Sequence, residues 1–123
     1  MINYLPSEIS ILLLAPVKLL IYKWITGSFY WTKIVEVTNK RILISFQWFG
    51  FESRSSALSC YYKLAEYKKH KKFGDSYIIN YEVSKGIFGE RIKIVAKQGF
   101  MTYNMKIYTE KSKEIRRIIR ENS

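Results

Sequence analysis

From residue 29 onward, apolar and polar positions alternate with a period of two. That spacing sends successive side chains to opposite faces of a strand and predicts antiparallel sheet. Thr32–Thr38 runs into Asn39-Lys40, and the following stretch to Trp48 puts Ile42, Ile44, Phe46 and Trp48 on one face, with Arg41, Ser45 and Gln47 on the other. Asn tolerates the positive φ of a tight turn, so Asn39 is read as the corner of a hairpin, with a second corner at Phe49-Gly50. Residues 51–72 are less regular: 51–56 is polar, and Cys60–Tyr67 fits either period and is assigned to strand. Lys68–Asp75 reads as a turn from its charge and glycine.

Three clear runs follow. Tyr77, Ile79, Tyr81 and Val83 share one face of the first, Ile92, Ile94 and Ala96 one face of the second, and Met101, Tyr103, Met105 and Ile107 one face of the third. Gly86 and Gly89 separate the first two, and Gln98-Gly99 links the last two as a hairpin. At the end the period changes to that of a helix: Ile115, Ile118 and Ile119 form an i, i+3, i+4 stripe, with Thr109 or Ser112 available to cap its start. The expected fold is mainly β, an antiparallel barrel or sandwich of about seven strands whose open end is plugged by one C-terminal α-helix.

The N-terminal 28 residues stand apart. Ile9–Tyr22 is almost wholly apolar but is broken by Pro16 and Lys18, and no cluster of positive charge precedes it. A spanning helix needs about 18 uninterrupted apolar residues, so residues 1–28 are expected to supply extra strands or a buried element, with a membrane anchor as the alternative. Residues 29–123 form the barrel domain on this reading.

Composition narrows the function. The 123 residues are 48% hydrophobic and 25% charged, enough for one core, and the net charge is +11. The excess is C-terminal: residues 1–60 hold 6 basic and 3 acidic residues, and residues 61–123 hold 15 and 7. Such a chain favours polyanions, whether anionic lipid headgroups, acidic proteins or nucleic acid. Cys60 is the single cysteine and His70 the single histidine, so neither a disulfide nor a protein-only zinc site can form within the chain, and a reducing compartment is expected. A Cys60/His70 nucleophile and base is formally open, against a buried small residue and a solvated imidazole. No phosphate-cradling loop, metal-binding helix or nucleophile elbow is present, so no enzyme and no cofactor is expected.

Two candidate contact regions remain. The first is Lys68, Lys69, His70, Lys71 and Lys72, a local concentration of cations that suits lipid headgroups or, on the plainer reading, a solvated loop. The second is Phe49 and Phe51 beside Gly50, large apolar side chains at an expected hairpin tip.

The run Ile34-Val35-Glu36-Val37-Thr38-Asn39-Lys40-Arg41-Ile42-Leu43-Ile44, with Trp31 shortly before it, resembles the hairpin of the bacterial pleckstrin-homology-like (PH-like) domains over roughly residues 29–121. The resemblance implies a seven-stranded barrel with a C-terminal helix. It also implies a non-enzymatic adaptor that docks on an anionic membrane surface or a protein partner, cytoplasmic or peripheral to the inner face of the membrane. The Asn39-Lys40 link is too short for the basic inositol-phosphate loop of eukaryotic relatives, so that ligand is not carried over. A nucleic-acid-binding barrel is the alternative, since tyrosines beside lysines can stack bases.

Overall fold

The computed structural model describes residues 4–123 apart from 24, 25, 46, 49, 50, 53–57 and 73. At strand residues 15–17, 22–23, 26–33, 47–48 and 51–52 it describes the backbone alone. The protein is mainly β and mostly antiparallel. Its elements are β1 (Ser10–Lys23), β2 (Thr26–Thr38), β3 (Arg41–Ser45), β4 (Gln47–Trp48), β5 (Phe51–Glu52), β6 (Leu58–Tyr61), α1 (Leu64–His70), β7 (Ser76–Gly86), β8 (Gly89–Gln98), β9 (Met101–Tyr108) and α2 (Ser112–Asn122).

Seven strands pair in the order β1-β2-β3-β6-β7-β8-β9, and β9 bonds back to β1 through register pairs from Lys18↔Tyr108 to Tyr22↔Asn104. The apolar N-terminal stretch is therefore strand β1, bonded to β2 on one side and β9 on the other. Among the described residues no helix is long and apolar enough to cross a membrane. Within the ring the shortest ladder is β6–β7, with only Cys60↔Ser76 and Tyr61↔Tyr77, and it is parallel. Parallel neighbours need a crossover, and α1 supplies it.

The inward-facing side chains are those the period-two pattern marks. Val35 and Val37 of β2, Ile42 and Ile44 of β3, Ile92, Ile94 and Ala96 of β8, and Tyr103, Met105 and Ile107 of β9 are buried together with Leu19. Ile115, Ile118 and Ile119 of α2 pack into this same cluster, so the helix buries its stripe against the ring. Thr109 does not cap α2 itself. Its hydroxyl accepts the Lys111 N–H (3.1 Å) in the turn before the helix, and the Ser112 hydroxyl donates to the Thr109 carbonyl (2.7 Å).

Three expectations need correction, and one strand proves covered on both faces. Residues 64–70 are helix α1, where strand to Tyr67 and then a turn were expected, so the described residues hold two helices, and Lys68, Lys69 and His70 form the last turn of α1 rather than a loop. The sheet is not wholly antiparallel, because of β6–β7. The alternation of β3 separates two faces, and both are covered: Arg41, Ile42, Leu43 and Ile44 are all buried, and Glu8 from the chain before β1 pairs with Arg41. In β7 a register shift between Ile78 and Asn80 marks a bulge. It leaves Ile79 exposed and turns Ile78 onto the same core as Tyr81 and Val83, so one strand shows both phases of alternation.

Candidate functional site

Barrel strands carry two faces, and the outer face of β3, β6 and β7 holds the chemistry. Glu8, Arg41, Ser59 and Asp75 are buried there although all are polar. Arg41 makes a bidentate pair with Glu8, Nε to Oε2 and Nη2 to Oε1, both 2.9 Å. Its Nη1 donates to Ser59 Oγ (3.3 Å), and the guanidinium lies 5.6 Å from the Tyr61 ring centroid. Thr38 hydroxyl donates to Glu8 Oε2 (2.7 Å), and the Leu5 N–H donates to Oε1 (2.9 Å), which fastens the chain ahead of β1 onto the β2–β3 hairpin. The Tyr4 hydroxyl reaches Glu36 in the same way. Burial works against the Glu8 carboxylate, but the bonds from Arg41, Leu5 and Thr38 and the charge of Arg41 outweigh it and hold its pKa below the ordinary value.

The network continues to the lysines. Tyr61 hydroxyl donates to Asp75 Oδ2 (3.4 Å), and burial followed by the Asp75 charge pushes the Tyr61 pKa up to about 12. Asp75 Oδ2 also accepts the Lys72 N–H (2.8 Å), while the Asp75 N–H donates to the Lys72 carbonyl (3.0 Å). That turn is thus closed from both sides and hung on a buried group. Burial raises the Asp75 pKa against these bonds and against the charges of Arg41 and Lys72. Tyr67 of α1 packs edge-on to Tyr61, with centroids 6.2 Å apart, and tilted against Tyr77 at 4.9 Å, which seats α1 on the outer face of β6 and β7.

Lys68, Lys69, Lys71 and Lys72 are all exposed. None of the four forms an ion pair among the described residues. Lys68 and Lys69 sit at the C-terminal end of α1, where the helix dipole favours positive charge. His70 belongs elsewhere: its Nε2 lies 3.3 Å from Glu66, which also faces Lys40 at 3.9 Å. Of the other sequence candidates, Phe49 lies outside the described residues. Phe51 is described through its backbone, which pairs with Trp48 in the β4–β5 hairpin.

Inside the ring a second polar group forms. Cys60 Sγ lies 3.4 Å from the Tyr103 hydroxyl and 3.3 Å from Ser76 Oγ, and Ser76 also bonds Tyr103. Burial pushes the Cys60 thiol pKa up, away from a thiolate. His70 lies outside the wall, where its carbonyl is near the Tyr61 hydroxyl, so the thiol and the imidazole are not brought together. Among the described residues no group of acidic, cysteine or histidine side chains can hold a metal ion.

The buried Glu8–Arg41–Tyr61–Asp75 network and the exposed Phe100 at the β8–β9 turn were not marked by the sequence pattern, and Met101, placed on one face with Tyr103, Met105 and Ile107, is exposed where those three are buried. A signal for the second existed: a large apolar pair directly after Gly99 at a hairpin link, the same oddity that singles out Phe49 and Phe51. Comparison of the chain with protein-family models, curated proteins and solved structures finds no match.

Proposed function

We propose that this protein is a non-enzymatic, PH-like barrel that docks on anionic membrane surfaces, peripheral to the inner face of the membrane, through Lys68, Lys69, Lys71 and Lys72. The observation that carries the reading is that these four exposed cations form no ion pair among the described residues, while the turn that ends them is tied to a buried network. An ordered lysine cluster gives up less conformational freedom on binding than a mobile one, and each lysine near an anionic surface contributes on the order of 1 kcal/mol. Support for the PH-like fold comes from the order of elements: the meander β1-β2-β3-β6, then β7-β8-β9, then a helix that packs its isoleucines into the core. A single buried free cysteine agrees with a reducing compartment.

The test is co-sedimentation of the full chain with phosphatidylcholine vesicles, with and without phosphatidylserine, beside a parallel titration with single-stranded oligonucleotide. Binding is expected only to the anionic vesicles, and K68Q/K69Q/K71Q/K72Q should abolish it at unchanged thermal stability. Tighter binding to the oligonucleotide, or vesicle binding that survives the quadruple change, would replace this reading with a nucleic-acid or protein partner.

A further inference from the structure

The ladder between β7 and β8 brings an apolar tip beside the lysines. Tyr77 pairs with Lys97, so the turn that ends at Asp75, just ahead of Ser76, and the turn that begins at Gln98 emerge side by side. The first presents Lys71 and Lys72. The second closes on the Gln98↔Met101 pair, with Gly99 and Phe100 as its central residues. Gly99 has φ +60, whereas Phe100 is not among the positive-φ residues. That combination at the two central positions is the one that places glycine first in a two-residue hairpin. The Phe100 side chain is fully exposed and Met101 is 45% exposed.

A fully exposed phenylalanine on a two-residue turn has no role in the barrel core, and the strand register puts lysines beside that turn: Lys71 and Lys72 in the chain leading into β7 and half-buried Lys97 one residue before it. Lysine heads match phosphate and carboxylate groups at a lipid surface, and the ring reaches the acyl boundary just below them. We infer that Phe100, with Met101, inserts into the headgroup–acyl boundary of an anionic bilayer, so that docking is partly apolar and not charge attraction alone. This rests on the membrane reading above and adds to it a depth and an orientation, with the β8–β9 turn pointing into the lipid.

Cys60 is the sole cysteine and is buried, so Phe100→Cys introduces one accessible thiol for an environment-sensitive fluorophore. Ile87→Cys at the opposite end of β8 serves as the control, since Ile87 is 97% exposed but lies at the end of the strand away from Lys68–Lys72. With vesicles of equal parts phosphatidylcholine and phosphatidylserine, the Phe100→Cys probe should shift to the blue and the Ile87→Cys probe should not. Phe100→Ser should weaken vesicle partitioning about tenfold, the scale of one aromatic side chain leaving lipid, at unchanged melting temperature. What binding remains should be more salt-sensitive than that of the unaltered chain. Vesicle binding that depends on the four lysines but is indifferent to Phe100→Ser, with an unshifted probe, would overturn the insertion and leave the docking intact. A chain that does not bind the vesicles at all would overturn both.

Discussion

The two ends of β8 carry similar sequence and do different things. Each leads into a tight turn that displays large apolar side chains: Ile87 (97% exposed) and Phe88 (59%) at one end, Phe100 and Met101 at the other, about 30 Å away along the strand at the usual rise per residue. Each also has cations nearby. At the Gly86–Gly89 end two of those cations, Lys18 and Arg91, face neighbouring rings and hydroxyls, and a third, Lys85, is exposed. Lys18 Nζ sits 5.1 Å from the Phe88 ring centroid, Phe88 packs edge-on to Tyr108 at 5.8 Å, and Arg91 donates to Ser84 Oγ (3.1 Å) and the Tyr108 hydroxyl (3.3 Å). Gly86 makes this possible, because a Cβ there would meet Arg91 Nη1 at 2.8 Å. At the Gln98–Met101 end the neighbouring lysines have no ion-pair partner among the described residues, and what is satisfied is the buried network beneath them. On the membrane reading proposed above, the two tips differ in the number of cations beside them that form no ion pair among the described residues: Lys68, Lys69, Lys71 and Lys72 near one, Lys85 near the other.

The largest effect separates the two arginines. Arg41 lies in a buried pair with Glu8, and removing one partner of such a pair leaves an uncompensated charge, at about 3–5 kcal/mol. Arg41→Ala should therefore lower the melting temperature by about 10 °C or more and loosen the lysine turn, so vesicle binding falls with it. Arg91→Ala removes a half-exposed set of contacts and should cost about 1 kcal/mol or less, with vesicle binding unchanged. Equal losses for the two variants, measured by thermal denaturation, would show that the lysine end is no better anchored than the other.

The next effect is a pH dependence confined to the lysine end. The folded Glu8 pKa lies below its ordinary 4.5, so its contribution is fully present above that value and is lost as pH falls through the lower folded value. Glu8→Gln should destabilise the protein by about 1–3 kcal/mol near neutral pH, and the gap to the unaltered chain should close as the solution is acidified below 4.5. Asp75, whose pKa burial raises, titrates in the opposite sense in both proteins, so it largely cancels in the difference. A gap that stays constant down to pH 3, about the lowest ordinary carboxylate range, would mean that the Glu8 charge does not hold Arg41.

How much of this was legible in the sequence follows from how local each interaction is. Strands β7, β8 and β9 and the isoleucine stripe of α2 were readable because each buries a face that recurs at the period of its own element. Helix α1 was not: at seven residues, with no buried side chain, it has no apolar stripe to announce it, and its crossover role depends on two strands it does not itself contain. The Ile79 bulge in β7 is equally silent, since Ile78 and Ile79 are neighbours of the same apolar type and alternation cannot say which of the two faces inward. Alternation places Arg41 on the face opposite Ile42 and Ile44, and nothing in it says that this face is covered. The partner of Arg41, Glu8, lies 33 positions earlier, and no periodicity links the two. The Lys68–Lys72 concentration was visible, but that His70 is drawn to Glu66 while the four lysines are not could come only from the folded arrangement.

The smallest effect crosses the two tips. Phe88 touches Tyr108 and lies under Lys18, so Phe88→Ala should cost about 0.5–1 kcal/mol of stability from the lost ring and cation contacts. Because that tip points away from the lysine end, vesicle partitioning should be unchanged. Phe100 is fully exposed, so Phe100→Ser should alter stability by less than about 0.5 kcal/mol while reducing partitioning. Chemical denaturation and vesicle co-sedimentation on the same two proteins give four readings, of which only the diagonal pair should move. If Phe88→Ala instead reduced partitioning and Phe100→Ser did not, the membrane-facing end of the barrel would be the β7–β8 turn, and the cations that count would be Lys18 and Arg91.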